Sequence, residues 1–393
     1  MCQVKAPRAA YSLYNYTLIA IAAIFIIFEL IAFRKALEDV PTFLSQIAMM
    51  FTHVMGMLKL WMLVYRKEQV VEIKAKLQNK YFQYVPIDDF QPGKKMQREK
   101  LFIKFASMFI FLLYSFVGVS GHITAAIMVD KSSVSGIFSG NASCQSFMPY
   151  NFYYPFDIST PRKCHYALVY MDISLDIFAF YISTLDMIFV MFLHVLATQL
   201  NILKEAFITI RKRCLGKMKM DLNSRIFRDI DHKELEQEMY SELIHCTQHL
   251  HLLIEVRQDM ENVFSFITLT QVTASLLISA SCLFVAAIVP VSSPNFFSQL
   301  EYFSAILSQI SLYCWFGNKI TYASSELPTA IYKSDWLSCS RRFKQAMLMS
   351  MGRMERPLYV SIGKFMPLSL STLLAVLRGS FSYFTLFQRA GQI

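Results

Sequence analysis

The stretch FMPLSLSTLLAVLRGSFSYFTLFQ, residues 365–388, decides the fold class. From Pro367 to Gln388 it runs 22 residues. A helix of that length spans roughly 33 Å, the hydrocarbon thickness of a bilayer. Proline in a first helical turn costs no hydrogen bond, so Pro367 reads as the start of the helix. The run also carries Ser369, Ser371, Thr372, Ser380, Ser382, Tyr383, Thr385 and Gln388, with one full charge, Arg378. Such groups gain nothing against lipid but are useful against water or partner helices. The pattern predicts a final membrane helix with a polar stripe facing protein or an aqueous path.

Outward from that helix, six more apolar stretches are long enough to cross a membrane: Leu13–Phe33, Phe43–Tyr65, Leu101–Val129, Ala167–Leu200, Val263–Val289 and Phe296–Phe316. Several exceed the ~20 residues a span needs, which predicts tilt or extension beyond the bilayer. The bulk composition agrees. The chain is 55% hydrophobic with mean hydropathy +0.38, against ~45–50% apolar for soluble domains. The first stretch has no small-residue cleavage site behind it and reads as a span rather than a signal peptide. No internal repeat argues for a carrier built from duplicated halves.

Lysine and arginine counts set the expected orientation. The loops 66–100, 201–257 and 319–366 with the first ten residues hold 29, and the alternate set holds six. The expectation is an all-α membrane protein of seven transmembrane helices, with a cytoplasmic N-terminus and an extracellular C-terminus. The formal charge of +10 is then mostly a positive-inside signature, not a nucleic-acid footprint. Asn141-Ala142-Ser143 falls in the second external loop and reads as a glycosylation acceptor. Cys144 and Cys164 share that loop. Their compartment permits a disulfide, and two free thiols fit the sequence as well.

The inner loop from Asn201 to Glu261 is too long for a connector. Its spacing Leu243, Cys246, Leu250, Leu253 is helical, so the fourth and fifth spans are expected to continue into the cytoplasm. Phe343, Met347, Ser350-Met351 and Met354 make a second apolar stripe, ringed by Arg341, Arg342, Lys344 and Arg353. It suits either a helix on anionic lipid or, as favoured here, one packed on the extensions of the neighbouring spans.

Catalytic chemistry finds no support. No Cys/His set has zinc spacing, and no Gly-rich phosphate loop is present, so an enzyme, a metal and a cofactor are all unexpected. His245 and His249 stand at i, i+4 but lack an HExxH context; a solvated helical face is the better reading. Charges within spans include Glu29, Lys59, Asp172, Asp176, Asp186 and Arg378. Glu29 and Lys59 read as snorkelling to opposite edges, and Asp172 and Asp176 as facing the outer surface or an aqueous vestibule. Asp186 lies deeper, with Arg378 its partner by depth alone.

The ordered series Phe316-Gly317-Asn318, Tyr332-Lys333-Ser334-Asp335-Trp336, Gln345-Ala346-Met347-Leu348-Met349, Arg356-Pro357-Leu358, Gly363-Lys364-Phe365, Pro367-Leu368-Ser369-Leu370 and Ser382-Tyr383-Phe384-Thr385-Leu386 resembles the C-terminal signature of insect odorant receptors. The remainder matches that family in length and membrane pattern. The resemblance implies a subunit of a non-selective cation channel in the plasma membrane of olfactory sensory neurons, opened by small apolar volatiles. The family's obligate co-receptor carries a larger second inner loop than the one here. A ligand-tuning subunit in a heterotetramer with that co-receptor is therefore implied.

The implied organisation places helices 1–4 and the ligand-binding half in 1–200, the inner loop and helix extensions in 201–262, and helices 5–6 in 263–318. Cytoplasmic anchor helices follow in 319–366 and the pore-lining helix in 367–393. The resemblance also implies an odorant pocket in the outer half of the membrane. Depth then selects His53, Phe116, Ser120, Thr124, Ile173, Ile177, Tyr181 and Tyr302. Aligned through Tyr383-Phe384, the implied gate falls at Leu386, with Ala390 one turn further and Thr385, Gln388 and Arg389 at the mouth. A leucine ring would block ions by dewetting. Arg389 departs from what a cation pore favours electrostatically. Two rivals are weighed against this reading. A metabotropic seven-helix receptor is opposed by the charge asymmetry and by the lack of D-R-Y and N-P-x-x-Y patterns. A gustatory-type channel is matched only partly by Ser382-Tyr383 and Gln388-Arg389.

Overall fold

Prolines and small hydroxyl residues set where the long helices begin. Thr160 accepts from the Lys163 amide at 3.4 Å and Pro161 follows it, opening one helix. Ser293 accepts from the Phe296 amide at 3.2 Å ahead of Pro294, opening another. In both places the cap satisfies an orphan N–H, and the proline removes one that had no partner anyway. The computed structural model describes residues 8–37, 40–87, 90–223 and 226–390.

The described helices are α1 (Arg8–Ala36), α2 (Val40–Tyr65), α3 (Lys67–Leu77), α4 (Pro92–Val134), α5 (Asn141–Phe147), α6 (Pro161–Ile208), α7 (Ile210–Lys217), α8 (Lys233–Ile288), α9 (Pro294–Ser325), α10 (Leu327–Tyr332), α11 (Arg341–Arg353) and α12 (Leu370–Ala390). Six of them, α1, α2, α4, α6, α8 and α12, are long and apolar enough to cross a membrane. The seventh expected span lies in α9. At 32 residues it is long enough, but Gln299, Glu301, Ser304, Ser308, Gln309 and Ser311 dilute its apolar character. It packs on α6 and α8, and of those six residues Gln309 is buried.

Helices α6 and α8 have 48 and 56 residues. At 1.5 Å per residue they run roughly 72 and 84 Å, more than twice a bilayer core. Beyond the spans they form a second helical layer with α3, α7, α10 and α11. Leu203, Phe207, Leu243, Cys246, Leu250 and Leu253 are almost wholly buried there. The α11 stripe seats Phe343 and Met347 in the same core, and Met354 just beyond the helix joins them. His245 and His249 are not on a solvated face. His249 is buried, its Nδ1 is 2.9 Å from Tyr84 Oη, and both rings stack on Phe82. The aromatic turn around residues 80–84 folds back over this part of α8, which helical spacing alone does not reveal.

At the other end of the bundle, α5 is tied to the first turn of α6 by a Cys144–Cys164 disulfide. The connecting loop buries Met148, Tyr150, Phe152 and Tyr154 against α1 and α6. Asn141 opens α5 and is exposed.

The last helix starts three residues later than its proline suggests. Pro367 sits in a two-residue strand, Met366–Pro367, paired antiparallel with Ser361–Ile362. The turn between them needs left-handed backbone at Gly363 (φ 58°) and Lys364 (φ 63°). Ser361 is held by Glu261 at the root of the α8 span, and Leu368 presses against Gly317, where a Cβ would collide with its carbonyl oxygen. The hairpin thus fixes where α12 enters, and α12 then lies on α8 and α9.

Candidate functional site

Five helices, α2, α4, α6, α8 and α9, line a cavity of about 150 Å³. That is the size of an engineered cavity able to hold benzene. Its walls are mostly apolar: Ala48, Met49 and Met55 from α2, Val117 from α4, Phe178 and Ile182 from α6, Ile278 from α8, and Ala305 and Ile306 from α9. Gly118 and Gly121 leave room on the α4 side, and Pro149 of the disulfide-tied loop closes one end. Apolar walls with a few placed polar groups are the general character of small-molecule sites.

The polar groups are held by partners from other helices. Thr52 and Tyr302 share a hydrogen bond across the cavity wall, and Tyr302 Oη also donates to the Ala48 carbonyl at 3.2 Å. His53 Nδ1 lies 2.7 Å from Glu29 Oε2, and the imidazole stacks on Phe178 with centroids 4.5 Å apart. Asp176 reaches the rim with an exposed carboxylate.

Lys59, Tyr114, Gln271 and Gln309 contribute further polar lining, with Ser45, Ser298 and Gln299. Lys59 Nζ donates to Asp186 Oδ1 at 2.5 Å, and Tyr313 Oη donates to the same oxygen at 2.5 Å. Asp186 Oδ2 accepts from Gln309 Nε2 and from Tyr114 Oη, the latter at 3.2 Å. One carboxylate thereby gathers α2, α4 and α9 around α6. Breaking a buried pair by removing one partner costs ~3–5 kcal/mol, because the other charge is left uncompensated.

Three sequence expectations are corrected here. Lys59 is about 1% exposed and does not snorkel; it is turned inward onto Asp186. Glu29 is likewise buried, paired with His53. Arg378 is not the partner of Asp186; it is exposed on α12. Depth along the chain suggested each reading, but the direction around each helix decided otherwise. Asp172 meets His122 of α4.

Of the eight pocket candidates, His53 and Tyr302 line the cavity and six do not. Phe116 and Ile173 are about half exposed, facing outward. Ser120 is turned to Glu301 and the Val117 carbonyl, while Thr124, Ile177 and Tyr181 are half-buried beside the cavity rather than on it. The lining positions are 114, 117, 118 and 121 on α4, and 175, 178, 179 and 182 on α6. The expected sets are displaced from them by one or two residues, which is roughly 100–200° of helical rotation. Gly118-Gly121 was the available signal for the inward face of α4, since small residues on a packed face leave space.

On α12, Val376, Thr372 and Ser380 face α8 and α9, and Ser380 Oγ donates to the Leu276 carbonyl at 3.2 Å. Leu374, Phe381, Tyr383 and Leu386 are exposed, as are Gln388 and Arg389. Thr385 donates back to the Ser382 carbonyl at 2.7 Å. Ala390 ends the helix, and its side chain lies outside the described residues.

Comparison with known proteins gives a consistent picture. Residues 39–381 match the family model described as 7tm odorant receptor. Odorant receptor 2a of Drosophila melanogaster is 28% identical over 158 residues, covering 39% of each chain. Odorant receptor 63a of the same fly is 33% identical over 136 residues, or 34% of this chain and 32% of that one. The aligned part thus spans about two fifths or less of these curated relatives. The fold is similar to that of the insect olfactory receptor OR5 from Machilis hrabei in complex with eugenol. The TM-score is 0.77 at 14% identity, covering 99% of this chain and 92% of that one.

Proposed function

Because the chain belongs to the 7tm odorant receptor family, we propose that it is the ligand-tuning subunit of an odorant-gated, non-selective cation channel. It assembles with an obligate co-receptor as a heterotetramer in the plasma membrane of olfactory sensory neurons. The observation that carries this reading is the mostly apolar cavity, walled by α2, α4, α6, α8 and α9 and sized for one small volatile. The similarly folded receptor from Machilis hrabei was solved with eugenol bound, which supports a small organic ligand here too.

The channel part of the proposal rests on α12. That helix buries one narrow side on its own subunit and leaves large apolar groups, including Leu386, uncovered. Neighbouring subunits around a shared axis would cover them, with Leu386 at the dewetted constriction and Thr385, Gln388, Arg389 and Ala390 near its mouth. The charge asymmetry supports a cytoplasmic N-terminus. In that orientation the α6–α8–α11 layer is an intracellular anchor, while Asn141 and the disulfide loop face outside.

Helices α2, α6, α8 and α9 line both the cavity and its polar floor, and α8 and α9 also carry α12. A ligand that fits the cavity better when these helices are apart would favour an open pore. A ligand fitting both arrangements equally would do nothing. The deciding test is whole-cell current across a panel of volatile compounds, with and without the co-receptor. Ligand-evoked cation current that needs both chains is expected. Responses surviving without the co-receptor, or relayed through G proteins, would overturn the proposal.

A further inference from the structure

Asp186 does more than pair with Lys59: it sets the polarity of two amides in turn. Its carboxylate can only accept, so Gln309 must present Nε2 to Oδ2, as it does. The carbonyl oxygen of Gln309 is then the group left to face α8, and Gln271 Nε2 donates to it at 2.8 Å. The same nitrogen approaches Ser275 Oγ at 3.1 Å. Turning the Gln271 amide over would set two carbonyl oxygens against each other. The chain Asp186–Gln309–Gln271 is therefore locked in one direction, and it ends on Gln271 Oε1.

That oxygen has no hydrogen-bond partner among the described residues, although Gln271 is only 2% exposed and lines the cavity. A buried acceptor left unpaired is costly, so the group that pairs with it gains the difference. We propose that Gln271 Oε1 is the specificity-determining acceptor of the ligand cavity, and that the ligand class is a small neutral molecule bearing a hydroxyl donor, an alcohol or a phenol. An ether, ester, ketone or hydrocarbon of the same size offers no proton to it. A carboxylate ligand would also bring an anion toward Asp176 at the rim. The inference rests on the odorant-gated reading and adds the chemistry by which ligands are sorted.

The test is current recording from cells expressing this chain with the co-receptor. The probes are matched pairs, each a hydroxyl compound and its methyl ether (phenol and anisole, hexan-1-ol and 1-methoxyhexane). With the native chain, active hydroxyl compounds should be more potent than their ethers by on the order of tenfold or more. Gln271→Met should close that gap. Gln309→Met frees the Gln271 amide to turn its NH₂ toward the cavity, so ethers should gain potency relative to alcohols. The second variant keeps the test decisive if the first does not reach the surface. Equal potency of alcohol and ether on the native chain would overturn this inference alone, as would a gap that Gln271→Met and Gln309→Met both leave intact. Silence to every compound from a chain present at the surface would instead overturn the receptor reading on which the inference stands.

Discussion

Lys59 and Asp186 stand 127 residues apart in the chain and 2.5 Å apart in the fold, both almost wholly shielded from solvent. Lys59 lines the ligand cavity, and Asp186 also accepts from Gln309, Tyr114 and Tyr313. The pair therefore connects the floor of the cavity with the packing of four helices.

Removing one charge should be worse than removing both. Lys59→Met leaves the buried Asp186 carboxyl group without its cation, a loss of ~3–5 kcal/mol of stability. Surface delivery, measured by labelling intact cells, should fall sharply. Adding Asp186→Asn should recover most of it, because a neutral amide can still use Tyr114 and Tyr313. A double variant as poor as the single one would show that the charge pairing is not what matters.

Filling the cavity should retune it without unfolding the chain. A Cβ placed at Gly118 meets nothing within 4 Å, yet the residue lines the cavity. Gly118→Val should reach the surface normally and lose about tenfold sensitivity to the larger agonists, with smaller ones spared. An unchanged size preference in dose–response curves would move the binding site elsewhere.

Leu386 is 55% exposed on the uncovered side of α12. If four such side chains close the pore, Leu386→Ala widens and wets it. Ligand-independent current should rise several-fold in cells that also carry the co-receptor. A baseline equal to that of the native chain would remove Leu386 from the gate.

Asn141 is exposed at the start of α5, three residues before the disulfide. With that loop outside, Asn141→Gln should lower the apparent mass by one glycan, and glycosidase treatment of the native chain should give the same band. A mass unaffected by either would argue that the loop never enters the secretory lumen.

The anchor layer should weaken in acid. Burial, reinforced by the neighbouring His245, holds the His249 pKa down to about 3. Unfolded histidine titrates near 6.5. Below about pH 6.5 the unfolded chain takes up a proton that the folded one refuses. Stability is thus fully present above pH 6.5 and falls by about 1.4 kcal/mol per pH unit as acid approaches the folded value. Thermal melting of the detergent-purified assembly should drop between pH 7 and 5, and His249→Gln should make that drop shallower. A slope identical in both proteins would assign the acid sensitivity to other groups.

Much of this was legible in the chain itself. Seven apolar runs, the helical extensions of the fourth and fifth spans, and the C-terminal series from Phe316 to Leu386 all depend on neighbours in sequence. Hydropathy, helical spacing and motif order are local properties. The start of α12 was misread because Pro367 satisfies a strand edge as well as a first helical turn, and only its pairing with Ser361 distinguishes the two.

What the sequence by itself determined was the class of protein: how many times it can cross a membrane, where its positive charge collects, and which family's closing signature it carries. The tertiary structure alone decided which way each long helix is turned. Helices such as α4 are apolar nearly all round, so hydropathy along them holds no periodic record of the inward face, and only the small pair Gly118 and Gly121 hints at it. Lys59, Glu29 and Asp186 had visible charges but no visible partners. An ion pair within a membrane is specified by distance, and residues on different helices acquire that distance only when the helices pack.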